Sequence, residues 1–457
     1  MKAINYLGLI DIIIGPFYAL IILMIARMHQ KRRMETDPSY KYYFPALAVK
    51  LIGGVGVCLV YTLYYNGGDT TNFFADAVRF NKILFKDPGG YFYLVTHAVN
   101  EMDWSLYDNE TGYPIYITDG NSYFVVKFTS LLVFFGCRSY IASTLLIAWI
   151  SFFGVWKLFR VFSDAFPSLR KELAIAVFFM PSVFFWGSGI LKDTITFSTI
   201  GYFVSSFNMV LLQRKKIFVN ILIMLLSIYV ISSIKVYILL GMIPGLLLWI
   251  VMGYSEKVSG TMKKALLIPV FLALVFGFGY LLVFSIQGSL GQYSTDKVVY
   301  TAVETQRDLK ADYYQGNSFD IGEYDPTLIG ILQKAPIAIF TCIFRPSIFE
   351  ANNIVMFISA LENTFILFIT LRMLIRIRFF GVFKYLLKNS LLTFALVFSF
   401  FFAFSVGFST SNFGSMVRYK IPIIPFFVAS VYIIGFYDKQ AKESKIEKIE
   451  YFIPVGV

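Results

Sequence analysis

Long apolar runs alternate with short polar breaks along this chain. Runs of about 17–22 residues are long enough to cross a ~30 Å hydrocarbon core as helices. The opening stretch LGLIDIIIGPFYALIILMIARMH is an example. This periodicity predicts eleven spans, near 7–27, 44–64, 139–161, 172–188, 193–212, 217–233, 237–253, 265–285, 353–371, 390–408 and 421–437. Residues 122–136 are apolar but short, which fits a helix lying at the interface. Two long polar stretches, 65–138 and 286–352, join the spans, and 438–457 forms a charged tail. The predicted fold class is an all-α polytopic integral membrane protein. It has a single transmembrane domain over 1–457, about eleven transmembrane helices, and two long extracytoplasmic loops carrying interfacial helices.

Composition supports that reading. Of 457 residues, 57% are hydrophobic and only 15% charged, where a soluble protein carries roughly a quarter. The net charge of +12 does not point to nucleic acid, because the basic residues bunch in breaks between apolar runs. QKRR, QRKK, RMLIRIR and KQAKESK are the clusters. Threading the spans puts every cluster on one side, as cytoplasmic loops require. The expected orientation is N-terminus outside, C-terminus cytoplasmic, both long loops outside. The expected location is a bacterial inner membrane.

The chemistry available is narrow. Two histidines, His29 and His97, leave little for a His-based metal site or a Ser/His triad. Cys58, Cys137 and Cys342 lack metal spacing and read as small hydrophobes. No phosphate-binding glycine loop of the ATPase type is present. The first apolar run lacks a basic leader and a small-residue cleavage site, so it is expected to be a retained span.

Four segments carry the candidate residues. In NGGDTTNFFADA, Gly67 and Gly68 break span two and Asp69 heads a helix, with Asp76 two turns along the same face. Asp69 reads either as a helix cap or as a general base or cation-holding carboxylate facing the membrane surface. In PSVFFWGSGILKDTITF, Gly187 and Gly189 turn the chain, and Lys192 and Asp193 start the return helix. Either Lys192 snorkels and Asp193 caps, or Lys192 binds phosphate. In FRPSIFEANN and ALEN, Arg345 and Glu350 lie outside, while Glu362 falls well inside a span, where an ionisable group faces a cavity or partner more often than lipid. In SNFGSMVRYKIPIIPFF, Arg418 and Lys420 lie on the outer side with Tyr419, as interfacial anchors or as an anion site. Lys235 sits at the tip between spans six and seven. The stretch 286–325 adds Glu304, Arg307, Asp308, Lys310, Asp312, Tyr313 and Tyr314, a solvated face or a sugar-binding one.

GGDTTNFFADA resembles the acidic first extracytoplasmic loop of the polytopic GT-C-type glycosyltransferases. RYKIPIIPFF resembles the RY-x-x-P-x-x-P pattern that opens a late span in the same group. WGSGILKD and the FRP segment are similar to bacterial O-antigen and exopolysaccharide polymerases. The chain departs from the GT-C pattern by one extra span before the acidic loop. The resemblance implies sugar transfer from a polyprenyl-(di)phosphate-linked donor to a glycan or lipid-linked acceptor outside the cytoplasm. Asp69 and Asp76 would be catalytic carboxylates. Lys192, Asp193, Arg345, Arg418 and Tyr419 would hold the donor phosphate, supported by Glu362 and Lys235. The cofactor is unknown; a divalent cation at Asp69 is the one metal considered. The expected partners are the donor, the acceptor and the bilayer, with no nucleic acid. The alternative is a transporter or flippase for lipid-linked glycans or another anion.

Overall fold

A computed structural model describes residues 6–97, 101–255, 318–322, 333–386 and 388–452, with residues 269 and 330. The chain is an all-α polytopic membrane protein. Among the described residues seven helices are long and apolar enough to cross a bilayer. They become eight if the helices Phe413–Tyr419 and Ile424–Ser444, bent by 66°, form one broken span. The expected span at 265–285 lies outside the described residues, and so does most of the loop 286–352.

One expectation is corrected. Segment 172–188 is not one straight helix. Arg170–Ala174 runs on into a π turn, Ile175–Phe179, and the helix then breaks before Pro181–Trp186, because Pro181 has no N–H to continue a helical ladder and is tolerated only in a first turn. The spans expected at 217–233 and 237–253 lie within Ile217–Ser255, two helices joined across a kink at Lys235 (φ −149°, ψ 73°). At 39 residues the element would be ~58 Å long if straight, about twice the hydrocarbon core. The break stands at the tip that the charge pattern indicated.

The helices are α1 Leu9–Met34, α2 Tyr43–Leu59, α3 Asp69–Lys86, α4 Pro88–Thr96, α5 Gly120–Phe135, α6 Tyr140–Ala165, α7 Arg170–Ala174 and α8 Pro181–Trp186. They continue with α9 Lys192–Phe207, α10 Ile217–Ser255, α11 Ala335–Phe344, α12 Ile354–Ile377, α13 Phe379–Leu386, α14 Ser390–Ser409, α15 Phe413–Tyr419 and α16 Ile424–Phe452. They belong to two compact units, one of residues Met1–Val161 and Val177–Leu239, the other of Phe162–Ala176 and Leu240–Val457.

In the first unit α1 shows lipid an apolar face of Leu9, Ile12, Ile13, Phe17, Leu20 and Met24. Its one buried acid, Asp11, accepts from Ser139 Oγ (2.7 Å) and from the Ile141 N–H (2.9 Å), so it caps the start of α6 from a neighbouring helix. Two glycines let α6 and α9 touch. A Cβ on Gly154 would lie 2.1 Å from the Ser198 carbonyl oxygen, and one on Gly201 2.1 Å from that of Gly154. Small residues at such crossings are how helices gain close packing without a hydrophobic driving force. The polar loop between α2 and α6 is itself folded. Phe73, Phe74 and Phe80 of α3, Tyr91 of α4 and Tyr123 of α5 are buried in one aromatic core.

In the second unit α11 packs against α14, where a Cβ on Gly407 would lie 2.1 Å from the Ala338 carbonyl oxygen. Trp249 stacks on Phe394 with ring centroids 4.8 Å apart, and Phe426 meets Phe398 edge-on at 5.1 Å. These rings fill the centre of the unit.

Candidate functional site

Each unit carries part of the candidate set. In the first, α2 ends in a π turn, Val60–Tyr64, and the chain then unwinds through Asn66, Gly67 and Gly68, with φ of 54°, 126° and 134°. Only glycine adopts the last two values cheaply. Gly68 is the residue that caps α3, and Asp69 is its first helical residue; the cap itself is therefore one position earlier than Asp69. The Thr71 hydroxyl donates to the Gly68 carbonyl at 2.8 Å, and the Thr70 and Tyr140 hydroxyls share a 3.0 Å bond. Together they fix the first turn of α3 against α6. Asp69 is half-buried there.

Around Asp69 four more charges converge. Lys192, first residue of α9, reaches Asp119 Oδ2 at 3.5 Å and interacts electrostatically with Lys235 and Asp69. Lys235, at the break in α10, forms a buried ion pair with Asp193. Asp119 is the cap of α5, accepting from the N–H groups of Asn121 (3.1 Å) and Ser122 (3.3 Å). Burial works to raise its pKa, but the Ser122 hydroxyl and the Lys192 ammonium outweigh burial and hold it below the usual carboxylate range. The Tyr116 phenol is pushed up to about 12, first by burial and then by the charge of Asp69.

Asp76 has a different position. It is fully buried, pairs with Arg79 at 2.6 Å, and accepts from the N–H groups of Ile115 (2.8 Å) and Tyr116 (2.9 Å). Burial raises its pKa, against the pull of those donors. This carboxylate is occupied in tying residues 115–116 to α3, which sets Tyr116 beside Asp69. That geometry is structural support.

In the second unit Arg345 is held on every side. Its Nε lies 2.8 Å from Glu350 Oε1 and a second nitrogen pairs with the same oxygen. The guanidinium also stands over the rings of Phe319 (5.6 Å) and Phe413 (5.3 Å), which stack at 4.8 Å. Glu350 accepts in turn from the Ser347 N–H and hydroxyl, both at 2.8 Å. Burial would raise the Glu350 pKa, but Arg345 and Ser347 bring it below 4.5. Lys420 is wholly buried. It donates to Asn363 Oδ1 at 2.6 Å and to the Arg345 carbonyl at 3.4 Å, and interacts electrostatically with Glu362. Asn363 donates to the Pro346 carbonyl at 2.9 Å. Glu362 is buried as its place in a span led one to expect. Arg418 and Tyr419 lie in the last turns of α15.

Lys192, Asp193, Lys235 and Asp69 thus converge in the first unit, whereas Arg345, Glu362, Arg418 and Tyr419 belong to the second. Three participants were not singled out from the sequence. Asp119 and Tyr116 are distant from Asp69 in the chain and carry no motif. Lys50 had a readable signal, an ionisable residue within the apolar run YFPALAVKLIGGVG. It is buried and donates to the Gly187 carbonyl, so it pins α2 to the turn that delivers Lys192. Among the described residues no group of three or more His, Cys, Asp or Glu side chains could hold a metal ion, so a cation at Asp69 would have few protein ligands. No family model, curated protein or solved structure matches the chain.

Proposed function

We propose that this protein is a glycosyltransferase or polysaccharide polymerase of the bacterial inner membrane. It would move a sugar from a polyprenyl-(di)phosphate donor to a glycan or lipid-linked acceptor on the extracytoplasmic face, with the N-terminus outside and the C-terminus cytoplasmic. The carrying observation is Asp69: a half-buried carboxylate at the unwound end of a span, within the field of Lys192. Glycosyl transfer needs a base for the acceptor hydroxyl and a cation for the departing phosphate. Asp69 fits the first role and Lys192 the second. The clustering of basic residues in short breaks supports the orientation, and the motif likenesses to GT-C enzymes and O-antigen polymerases support the reaction class.

One observation favours a second reading, transport of an anionic substrate. Broken helices are common at transporter binding sites, and here both α7–α8 and the Lys235 break interrupt helices beside charged residues. Reconstitution into liposomes with polyprenyl-phosphate-linked sugars decides between them. Conversion of the donor to sugar-free lipid phosphate, lost in Asp69→Asn, supports transfer. Sugar-linked lipid that changes leaflet without being consumed supports transport and ends the transferase reading.

A further inference from the structure

An apolar crevice of about 300 Å³ opens in the first unit between α5, α6, α9 and α10. Its walls include Phe124 and Phe128 of α5, Ile195, Thr199 and Tyr202 of α9, and Leu226 of α10. The register of α9 is informative. Lys192, Ile195, Thr199 and Tyr202 are three, four and three residues apart, which places them in one stripe along the helix. From Lys192 to Tyr202 the stripe runs ~15 Å, about half the hydrocarbon thickness. The α5 wall starts at the same end, because its cap Asp119 is the carboxylate that meets Lys192 at 3.5 Å. Lys192 does not itself line the crevice; it stands one turn before Ile195, at the end of α9 from which the slot runs.

We propose that this crevice holds the start of the isoprenoid chain of a lipid-phosphate donor, with the phosphate at Lys192. The proposal rests on the transferase reading above and names the part of the substrate that this surface recognises. Three features select the occupant. Three of the five hydroxyls that line the crevice turn back on their own helices: Ser151 donates to the Ala148 carbonyl (3.1 Å), Thr199 to that of Ile195 (2.7 Å) and Ser227 to that of Ile223 (2.7 Å). The lining therefore suits a hydrocarbon chain and not a sugar. At about 300 Å³ the crevice takes only the first isoprene units of one chain, the rest lying in the bilayer. The Lys192–Asp119 contact is also longer than the ~2.7–2.9 Å of a tight charge-assisted bond, so a phosphate can compete for the ammonium.

The test uses the full-length protein in phosphatidylethanolamine–phosphatidylglycerol nanodiscs with a benzophenone-bearing polyprenyl monophosphate. After irradiation, labelled peptides are mapped by mass spectrometry. Labelling should concentrate on 124–128, 195–202 and 223–230, and unlabelled polyprenyl phosphate should displace the probe while added phosphatidylglycerol does not. Thr199→Trp, which fills the slot, should cut labelling about tenfold; Phe218→Trp, on the exposed face of α10, should leave it unchanged. Labelling spread evenly over exposed residues such as Phe218 and Leu222, or equal displacement by phosphatidylglycerol, overturns the proposal. The two ideas fail separately. Sugar transfer with labelling elsewhere removes the crevice and keeps the enzyme, and crevice labelling without transfer does the reverse.

Discussion

The two units use charge differently. In the second, Arg345 is clamped by Glu350 and two phenyl rings, and Lys420 is spent on Asn363 and a carbonyl. These cations hold the FRP segment, α12 and α15 together. In the first, Lys192 starts α9 3.5 Å from Asp119 and in the field of Asp69, which starts α3. The buried Lys235–Asp193 pair of the first unit is architectural in the same way as the second unit's cations, because breaking such a pair is costly. Lys192 and Asp69 differ from that pair: Asp69 is half-buried, and Lys192 meets Asp119 only at 3.5 Å. Of the cations the sequence offered for a donor phosphate, Lys192, Arg345 and Arg418, the contrast favours Lys192 over Arg345 in the proposed reaction.

That contrast can be broken by substitution. The largest effect is expected from Lys192→Gln, which should raise the KM for a polyprenyl-phosphate donor by about 10- to 100-fold, the worth of a charge-assisted bond of ~1.5–3 kcal/mol. Thermal unfolding in detergent should hardly change. An unchanged KM would put the phosphate elsewhere. Lys420→Met should do the opposite, leaving Asn363 and a carbonyl without their donor. It should cost about 1–3 kcal/mol of stability, read as earlier unfolding, with the KM of any folded fraction preserved.

Arg345→Lys is a milder test of the clamp. Lysine keeps the charge but loses the planar fork and its stacking on Phe319 and Phe413, at a cost of about 0.5–2 kcal/mol. A loss of donor binding without a loss of stability would return Arg345 to the phosphate. The smallest effect is acid sensitivity. Glu350 has its folded-state pKa below the ordinary 4.5, so its contribution is complete above 4.5 and fades as pH falls through the folded value. Stability measured from pH 6 down to 3 should drop in the wild type and drop less in Glu350→Gln, which starts lower. Parallel curves would contradict the clamp.

Much of the fold was legible because bilayer thickness imposes one length on every span. Spans at 7–27, 44–64, 139–161 and 390–408 match helices closely, and the turn at Lys235 was visible as a single charge in an apolar run. Segment 172–188 was misread because its hydropathy is continuous while Pro181 breaks the backbone. At the site, Asp69 and Lys192 were legible as charges beside glycines at span ends. Asp76 had the right spacing, but helical periodicity reports the face of a helix and not what lies against it. Its partners, the N–H groups of residues 115 and 116, come from a loop that periodicity does not describe. Asp119 and Tyr116 reach Asp69 only through the folding of that loop. Lys50 is the instructive omission, since an ionisable residue inside an apolar run is costly unless something holds it.

The central claim is that Asp69 and Lys192 of the first unit do the chemistry while the second unit's cations hold structure. Single-turnover transfer in proteoliposomes tests it most directly, comparing Asp69→Asn with Arg345→Lys at matched folded protein. The account predicts that Asp69→Asn loses about 10²–10⁴-fold in rate, the usual worth of a general base, while Arg345→Lys stays within a few-fold of wild type. Equal rates for Asp69→Asn and wild type, with Arg345→Lys inactive, would contradict it.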